Sequence, residues 1–402
     1  MRLNRIIFLA ILTMVLGVNS SASAHELEVT PSMTTGTEET FAQTSVVSTE
    51  VDSIKAIAPV VGESKSTTTG KFKSFMQKAN PSLKFGGFIV GKFSIDDNKS
   101  KSSNSSFDMR YLRLYANGYC FDDFYYRFQL EVNGSPGPDR GPRMLDAFVE
   151  WQKFDFVKVK LGQFKRPFGF ENPYSPLNVG HGSYSQISTK LASLNDRIGE
   201  HKSNGRDVGV QVQGDLFKSK RGHHWLHYQV GLFNGQGINH ADKDNFKDLI
   251  GGLWISPVKD LCIGGFGWNG RYTNESNLSE QVKRQRWGAG LKYESDFTVR
   301  AEYMSSYGGV VGKPTAPTRS DGWYATVGVP VVKNLKLYAR WDCYRDDATT
   351  WESLQSNYGI SANYTLGKNL IFQANYAFTD KRGPAKLGNH YNTFDIQVYA
   401  RF

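Results

Sequence analysis

The groups best able to do chemistry in this 402-residue chain are a set of dispersed cations and a few motif fragments. Gly265-x-Gly267-x-x-Gly270 has the letters of a dinucleotide fingerprint. It falls inside an alternating, Trp-containing segment with no helix after it, whereas the fingerprint works only where a strand turns into a helix. Strand glycines account for it. Adjacent His223 and His224 would point to opposite faces of a strand, so a polar loop explains them better than a metal. Asp242-Lys243-Asp244-Asn245 starts like a calcium loop but lacks the later Gly and the terminal Glu. Cys120, Cys262 and Cys343 are odd in number and widely spaced, which gives neither a ligand set nor a disulfide framework. There is no Gly-x-Ser-x-Gly elbow, no His-Glu-x-x-His and no cysteine placed as a nucleophile. No cofactor, metal or catalytic residue is therefore expected. A hydrolase site assembled across strands is the one form of enzyme the pattern leaves open.

The cations are more informative because of where they recur. From Phe124 to Val132, Tyr126, Phe128, Leu130 and Val132 alternate with Tyr125, Arg127, Gln129 and Glu131. Successive side chains of a strand point to opposite faces, so one face is apolar and the other charged. Val157, Val159 and Leu161 alternate in the same way with Lys158, Lys160 and Gly162. So do Val208, Val210 and Val212 with Gly209, Gln211 and Gln213, and Val299, Ala301 and Tyr303 with Arg300 and Glu302. Leu335, Leu337, Ala339 and Trp341 alternate with Lys336, Arg340 and Asp342. Ionised pairs such as Arg300 and Glu302 suit a wet interior far better than a dry core.

The elements that must position these groups follow from the rest of the chain. Met1-Arg2-Leu3-Asn4-Arg5, the apolar run Ile6 to Val18 and the small residues ending Ala22-Ser23-Ala24 have the layout of a secretory signal, with cleavage expected after Ala24. Past it no stretch approaches the ~20 apolar residues of a spanning helix, and mean hydropathy is -0.45. A closed barrel is the other structure that satisfies every backbone group in lipid. The 26 Phe, 20 Tyr and 8 Trp suit the aromatic girdles of such a barrel. Residues 25–80, rich in Ser and Thr, read as a poorly ordered periplasmic extension, and residues 81–402 as the barrel. About sixteen strands fit at roughly 20 residues per strand and connection, and a barrel of that size leaves an aqueous channel. The last segment alternates Phe394, Ile396, Val398, Ala400 and Phe402 against Thr393, Asp395, Gln397, Tyr399 and Arg401. An apolar last strand ending in Phe is expected to engage the barrel assembly machinery. The net charge of +10 favours anions over cations as visitors.

Gly162-Gln163-Phe164-Lys165-Arg166-Pro167-Phe168-Gly169 resembles the GQFK-x-PF stretch of the phosphate-selective porin O and P family of bacterial outer-membrane porins. Leu145-Asp146-Ala147-Phe148-Val149-Glu150-Trp151 resembles that family's LDAYVEW strand, and Gly205-Arg206-Asp207-Val208-Gly209-Val210-Gln211 its GRDVGVQ strand. Phe233-Asn234-Gly235 and Arg300-Ala301-Glu302-Tyr303 continue the series in order. The resemblance implies a 16-stranded homotrimeric porin in the outer membrane of a Gram-negative bacterium. It also implies that the loop between Phe170 and Asn204 folds into the lumen, and that small anions such as phosphate pass. Arg110, Arg113, Lys158, Lys160 and Lys165 are the positions that match the family's pore cations. With Arg127, Arg300 and Arg340, which alternation assigns to the interior, they form the expected pore lining. Glu131, Asp146, Glu150 and Glu302 are expected in the same lumen. Here Tyr111 and Leu112 separate Arg110 from Arg113, where the family often has adjacent arginines. Outer-membrane lipids are the other expected partner, and nucleic acid is not one. A non-selective diffusion pore, a barrel anchor or adhesin, and a barrel hydrolase are the alternatives.

Overall fold

The computed structural model describes residues 81–101, 104–133, 141–200, 203–220, 222–384 and 388–402. The signal segment 1–24 and the extension 25–80 expected from the sequence lie outside the described residues. Sixteen antiparallel strands follow one another in chain order. They are β1 (Lys84–Asp96), β2 (Ser105–Cys120), β3 (Phe124–Glu131), β4 (Arg143–Phe154), β5 (Val157–Lys165) and β6 (Arg206–Lys218). Then come β7 (His224–Phe233), β8 (Asp248–Ile255), β9 (Leu261–Thr273), β10 (Gln281–Glu294) and β11 (Thr298–Val310). The last are β12 (Lys313–Val332), β13 (Leu335–Arg345), β14 (Leu354–Leu366), β15 (Leu370–Lys381) and β16 (His390–Arg401).

Each strand pairs with its neighbours in sequence, and β16 pairs with β1, which closes the barrel. The closing register sets Ile89 opposite Ala400 and Lys92 opposite Gln397. Beyond the ladder, Phe402 exchanges both backbone hydrogen bonds with Gly87, at 3.0 and 3.1 Å. A Cβ at Gly87 would lie 2.5 Å from the Phe402 ring, so the terminal ring lies where only glycine leaves room. Closure matters because an open edge would leave unpaired backbone groups in lipid.

The outward faces carry the apolar half of the alternation. Phe107 is 87% exposed and Ile360 60%, an inversion of a soluble protein that a lipid solvent explains. Trp287, Tyr303, Trp323, Trp341 and Tyr358 follow one another around the outside, with Trp287 and Tyr303 rings 5.2 Å apart and Trp341 stacked on Tyr358. Such a row suits the girdle at a membrane interface. Connections at one end are short, such as Lys333 and Asn334 between β12 and β13. At the other end they are longer in most cases, and the longest joins β5 to β6 across residues 166–205. By the usual barrel rule the short turns face the periplasm.

Candidate functional site

The β5–β6 connection does not extend into solvent. It folds into the barrel, and the reason begins with its two ends. Gly169 adopts φ +81°, and a Cβ there would meet the Met304 side chain at 2.4 Å; Gly205 adopts φ +71° with Asn172 at 2.2 Å. Glycine tolerates this left-handed backbone and leaves the room. Phe168 and Phe170 then enter an aromatic cluster on the inner wall, with Phe170 edge-on to Phe266 at 4.9 Å and Phe168 5.6 Å from Trp268.

Further along, inward side chains of the barrel satisfy the loop's backbone. Glu302 of β11 accepts from the amides of Phe170 and Glu171, both at 2.8 Å, and from the Tyr324 hydroxyl at 2.6 Å. Arg300 donates to the carbonyls of Val179 and Asn178. Arg340 donates to Ser183 O and pairs with Glu171 at 2.6 Å. Asn363 and Gln373 reach Gly180 O, and Arg110 and Gln397 reach Gly182 O. A short helix, α1 (Gln186–Lys190), is capped by Ser185 and held at its first amide by Asp342. His181 lies against Ser361, and burial followed by the nearby Arg340 and Arg110 charges pushes its ring down to about 3.

A second set of charges ties down the loop's return. Arg166, Arg284 and Arg286 lie around the Trp268 ring, with guanidinium carbons 4.7–5.0 Å from its centroid. Glu200, Asp207, Asp248 and Asp196 pair with them at 2.5–3.1 Å. Burial alone would raise the Asp196 carboxyl; the Arg286 and Arg284 charges outweigh it and hold it below the usual range. Burying so many ions is tolerable only because each is paired and hydrogen-bonded.

With the loop fastened along β10–β16, the open lumen lies on the side of β2–β7. A cavity of about 670 Å³ is lined there by Arg113, Arg127, Asp146, Lys160, Lys165 and Arg206 on the wall, and by Tyr174 and Leu177 on the loop. A second cavity of about 400 Å³ is lined by Arg110, Arg113, Lys165, Tyr184 and Arg206. Arg113, Lys165 and Arg206 line both, so they sit between the two. Arg113 pairs with Glu131 at 2.6 Å, and Arg206 with Asp146 at 2.7 Å. Lys165 donates at 2.6 Å to the carbonyls of Asn172 and Tyr174, and among the described residues no carboxylate pairs with it.

The sequence-predicted residues divide between these two tasks. Arg113, Arg127, Lys160 and Lys165 line the larger cavity, and Arg110 the smaller. Lys158 lines neither; it pairs with Asp215 at 3.2 Å lower on the wall. Arg300 and Arg340 lie beneath the loop and hold it, because the loop covers the wall they stand on. Glu302 is likewise a loop anchor, whereas Asp146 lines the passage and Glu131 and Glu150 pair with its cations. Alternation missed Arg206, which shares parity with outward Val208 and Val210. It is the first residue of β6, paired with Lys165, the last of β5, where both strands give way to the inserted loop.

Comparisons with known proteins agree with this geometry. The family model described as phosphate-selective porin O and P matches residues 87–219. No curated protein matches the chain in sequence. An anion-selective porin from Comamonas acidovorans superposes with a TM-score of 0.60 at 13% identity, covering 80% of this chain and 100% of that one. A loop L8 deletion mutant of OmpT, an outer membrane protein of Vibrio cholerae, gives 0.56 at 14% identity over 80% and 99%. The outer membrane channel DcaP of Acinetobacter baumannii gives 0.56 at 12% identity over 80% and 97%. At such identities the likeness concerns the fold. Fold and sequence converge: the chain has the closed 16-stranded barrel of the outer-membrane porins it superposes on, and its residues 87–219 match the phosphate-selective porin O and P family.

Proposed function

We propose that this porin is a passive, anion-preferring diffusion channel that admits small anions, phosphate among them. One observation carries the reading. Of the described residues lining the two cavities, Asp146 is the only carboxylate, against Arg110, Arg113, Arg127, Lys160, Lys165 and Arg206. A ring of cations raises the local concentration of anions and repels cations, and guanidinium forks suit phosphate oxygens. The close pairs Arg113–Glu131 and Arg206–Asp146, with the longer pairs Arg127–Asp146 at 3.6 Å and Lys160–Glu150 at 3.5 Å, favour a weaker, non-selective pore, so selectivity rests on Lys165 and on the excess of cations over carboxylates. No catalytic role is assigned. A homotrimer accords with the family resemblance and with OmpT of Vibrio cholerae, for which a trimer form is described. The exposed outer faces of β1–β5 suit lipid or a partner protomer, and the β16 strand with Phe402 suits the barrel assembly machinery.

The test is the reversal potential of single channels in a salt gradient at low ionic strength, where screening is weakest. Wild type should prefer anions, and Arg127→Glu with Lys160→Glu should lower or invert that preference while conduction persists. A wild-type pore that prefers cations would leave only a general porin, and a protein that does not conduct would favour an anchor or a hydrolase.

A further inference from the structure

The larger cavity has two unlike walls. The barrel wall presents cations, several of them beside rings: Arg127 lies 4.9 Å from the Tyr115 centroid, and Lys160 4.9 Å from Phe148 and 5.2 Å from Phe164. The loop wall opposite carries no charge along residues 173–178. It presents Pro173 and Asn178, which are exposed, with half-buried Tyr174, Ser175 and Leu177, so that neutral polar groups are interleaved with a ring and aliphatic carbons. Pro167 and Phe88 continue the apolar lining toward the ends of the slot.

A bare inorganic anion would use only one of these walls. Apolar side chains facing a cationic ladder across a passage gain nothing from a hydrated phosphate or chloride, which leaves their surface in contact with water. A solute with an anionic group and an apolar body uses both, because rings and aliphatic carbons bury against one another while the charge stays paired. From this pairing of walls we infer that the slot favours organic anions with an aromatic or apolar body, such as aryl phosphates and aryl carboxylates, over inorganic phosphate. The inference rests on the anion-channel reading and names its solute class. The carboxylate partners of Arg113 and Arg206 weaken the grip on a doubly charged phosphate, inorganic or aryl, more than on a singly charged aryl carboxylate.

The experiment measures block of the chloride current through single wild-type channels by inorganic phosphate, phenyl phosphate and neutral benzyl alcohol. Phenyl phosphate should half-block at about a tenfold lower concentration than inorganic phosphate, the scale of one well-placed ring contact. Benzyl alcohol should block far less than phenyl phosphate, since it lacks the charge. Leu177→Asn, which keeps the loop's backbone bonds, should bring the ratio of the two half-blocking concentrations toward one. If wild type is anion-preferring yet phosphate blocks as well as phenyl phosphate, the inference falls and the anion channel stands. If the ratio survives Leu177→Asn and Tyr174→Ala alike, the apolar wall is not its cause and the inference also falls. A cation-preferring wild type overturns the underlying reading itself.

Discussion

Removing the Glu302 carboxylate should loosen the constriction without opening the barrel. That side chain accepts two backbone amides, Phe170 and Glu171, at 2.8 Å each, in a buried site. In Glu302→Ala both donors are orphaned, at roughly 1–3 kcal/mol each, or about 2–6 kcal/mol for the pair. The Tyr324 hydroxyl loses its acceptor as well, but it can rotate. Even the lower figure raises the undocked population of this segment by roughly thirtyfold. The rest of the loop stays tied by Arg340 to Glu171 and by Arg300 to Val179, so the first turn should fluctuate while the loop as a whole remains inside. Single-channel recording should show a larger, noisier open current, and limited proteolysis of purified protein should cut within residues 166–205. Glu302→Gln keeps one acceptor oxygen and should fall between. The barrel should still migrate as a heat-modifiable band, since no strand pairing involves this side chain. Wild-type noise, conductance and protease resistance in Glu302→Ala would refute the assignment of Glu302 as the anchor.

Three further outcomes are expected. Asp146→Asn removes the one carboxylate among the described residues lining the two cavities and should strengthen anion preference in reversal-potential measurements; one charge acting across ~4 Å of water is worth about 1 kcal/mol, or roughly fivefold in local anion concentration. His181 is held down to about 3 in the docked loop, while a free ring titrates near 6.5. The undocked loop therefore takes up the proton first, and docking weakens as pH falls from about 6.5 toward 3 and is unaffected above; open-channel noise should rise on acidification in wild type and not in His181→Gln. Ile360→Arg, on the lipid face of β14, should cost about 2–4 kcal/mol of barrel stability in denaturant titrations if it lies near the midplane, whereas Gln213→Arg in the wet lumen should be tolerated. Equal effects would refute the facing assignment.

The barrel was legible because its physics is periodic. Lipid on one side and water on the other force a two-residue alternation, and segments such as Phe124 to Val132 display it without help from distant parts of the chain. The strand number followed from length in the same way. The site was only partly legible because alternation tells inside from outside, not free wall from covered wall. Arg300 and Arg113 look alike in sequence, and both point inward. One is covered by an inserted loop and the other is not, and that difference is set by contacts with residues more than a hundred positions away, such as Arg300 with Val179. Arg206 was missed for a further reason. It begins β6 opposite Lys165, the last residue of β5, so the parity rule that reads β6 correctly has lost its hold where the strands give way to the loop; Lys165 was named through the family resemblance and not through parity.

The anchors of the inserted loop also impose an order of events. Gly182 O is held jointly by Arg110 from β2 and Gln397 from β16, and those two side chains touch each other at 2.5 Å. The strands that bear them belong to opposite ends of the sheet and meet only across the seam, where β1 joins β16. A nascent sheet that has not zipped shut offers the loop half a cradle. The hold on Gly182 is thus complete only in the closed barrel, whereas the anchors on β11, β13, β14 and β15 need no seam, so an unclosed sheet would keep the loop tied along one side only.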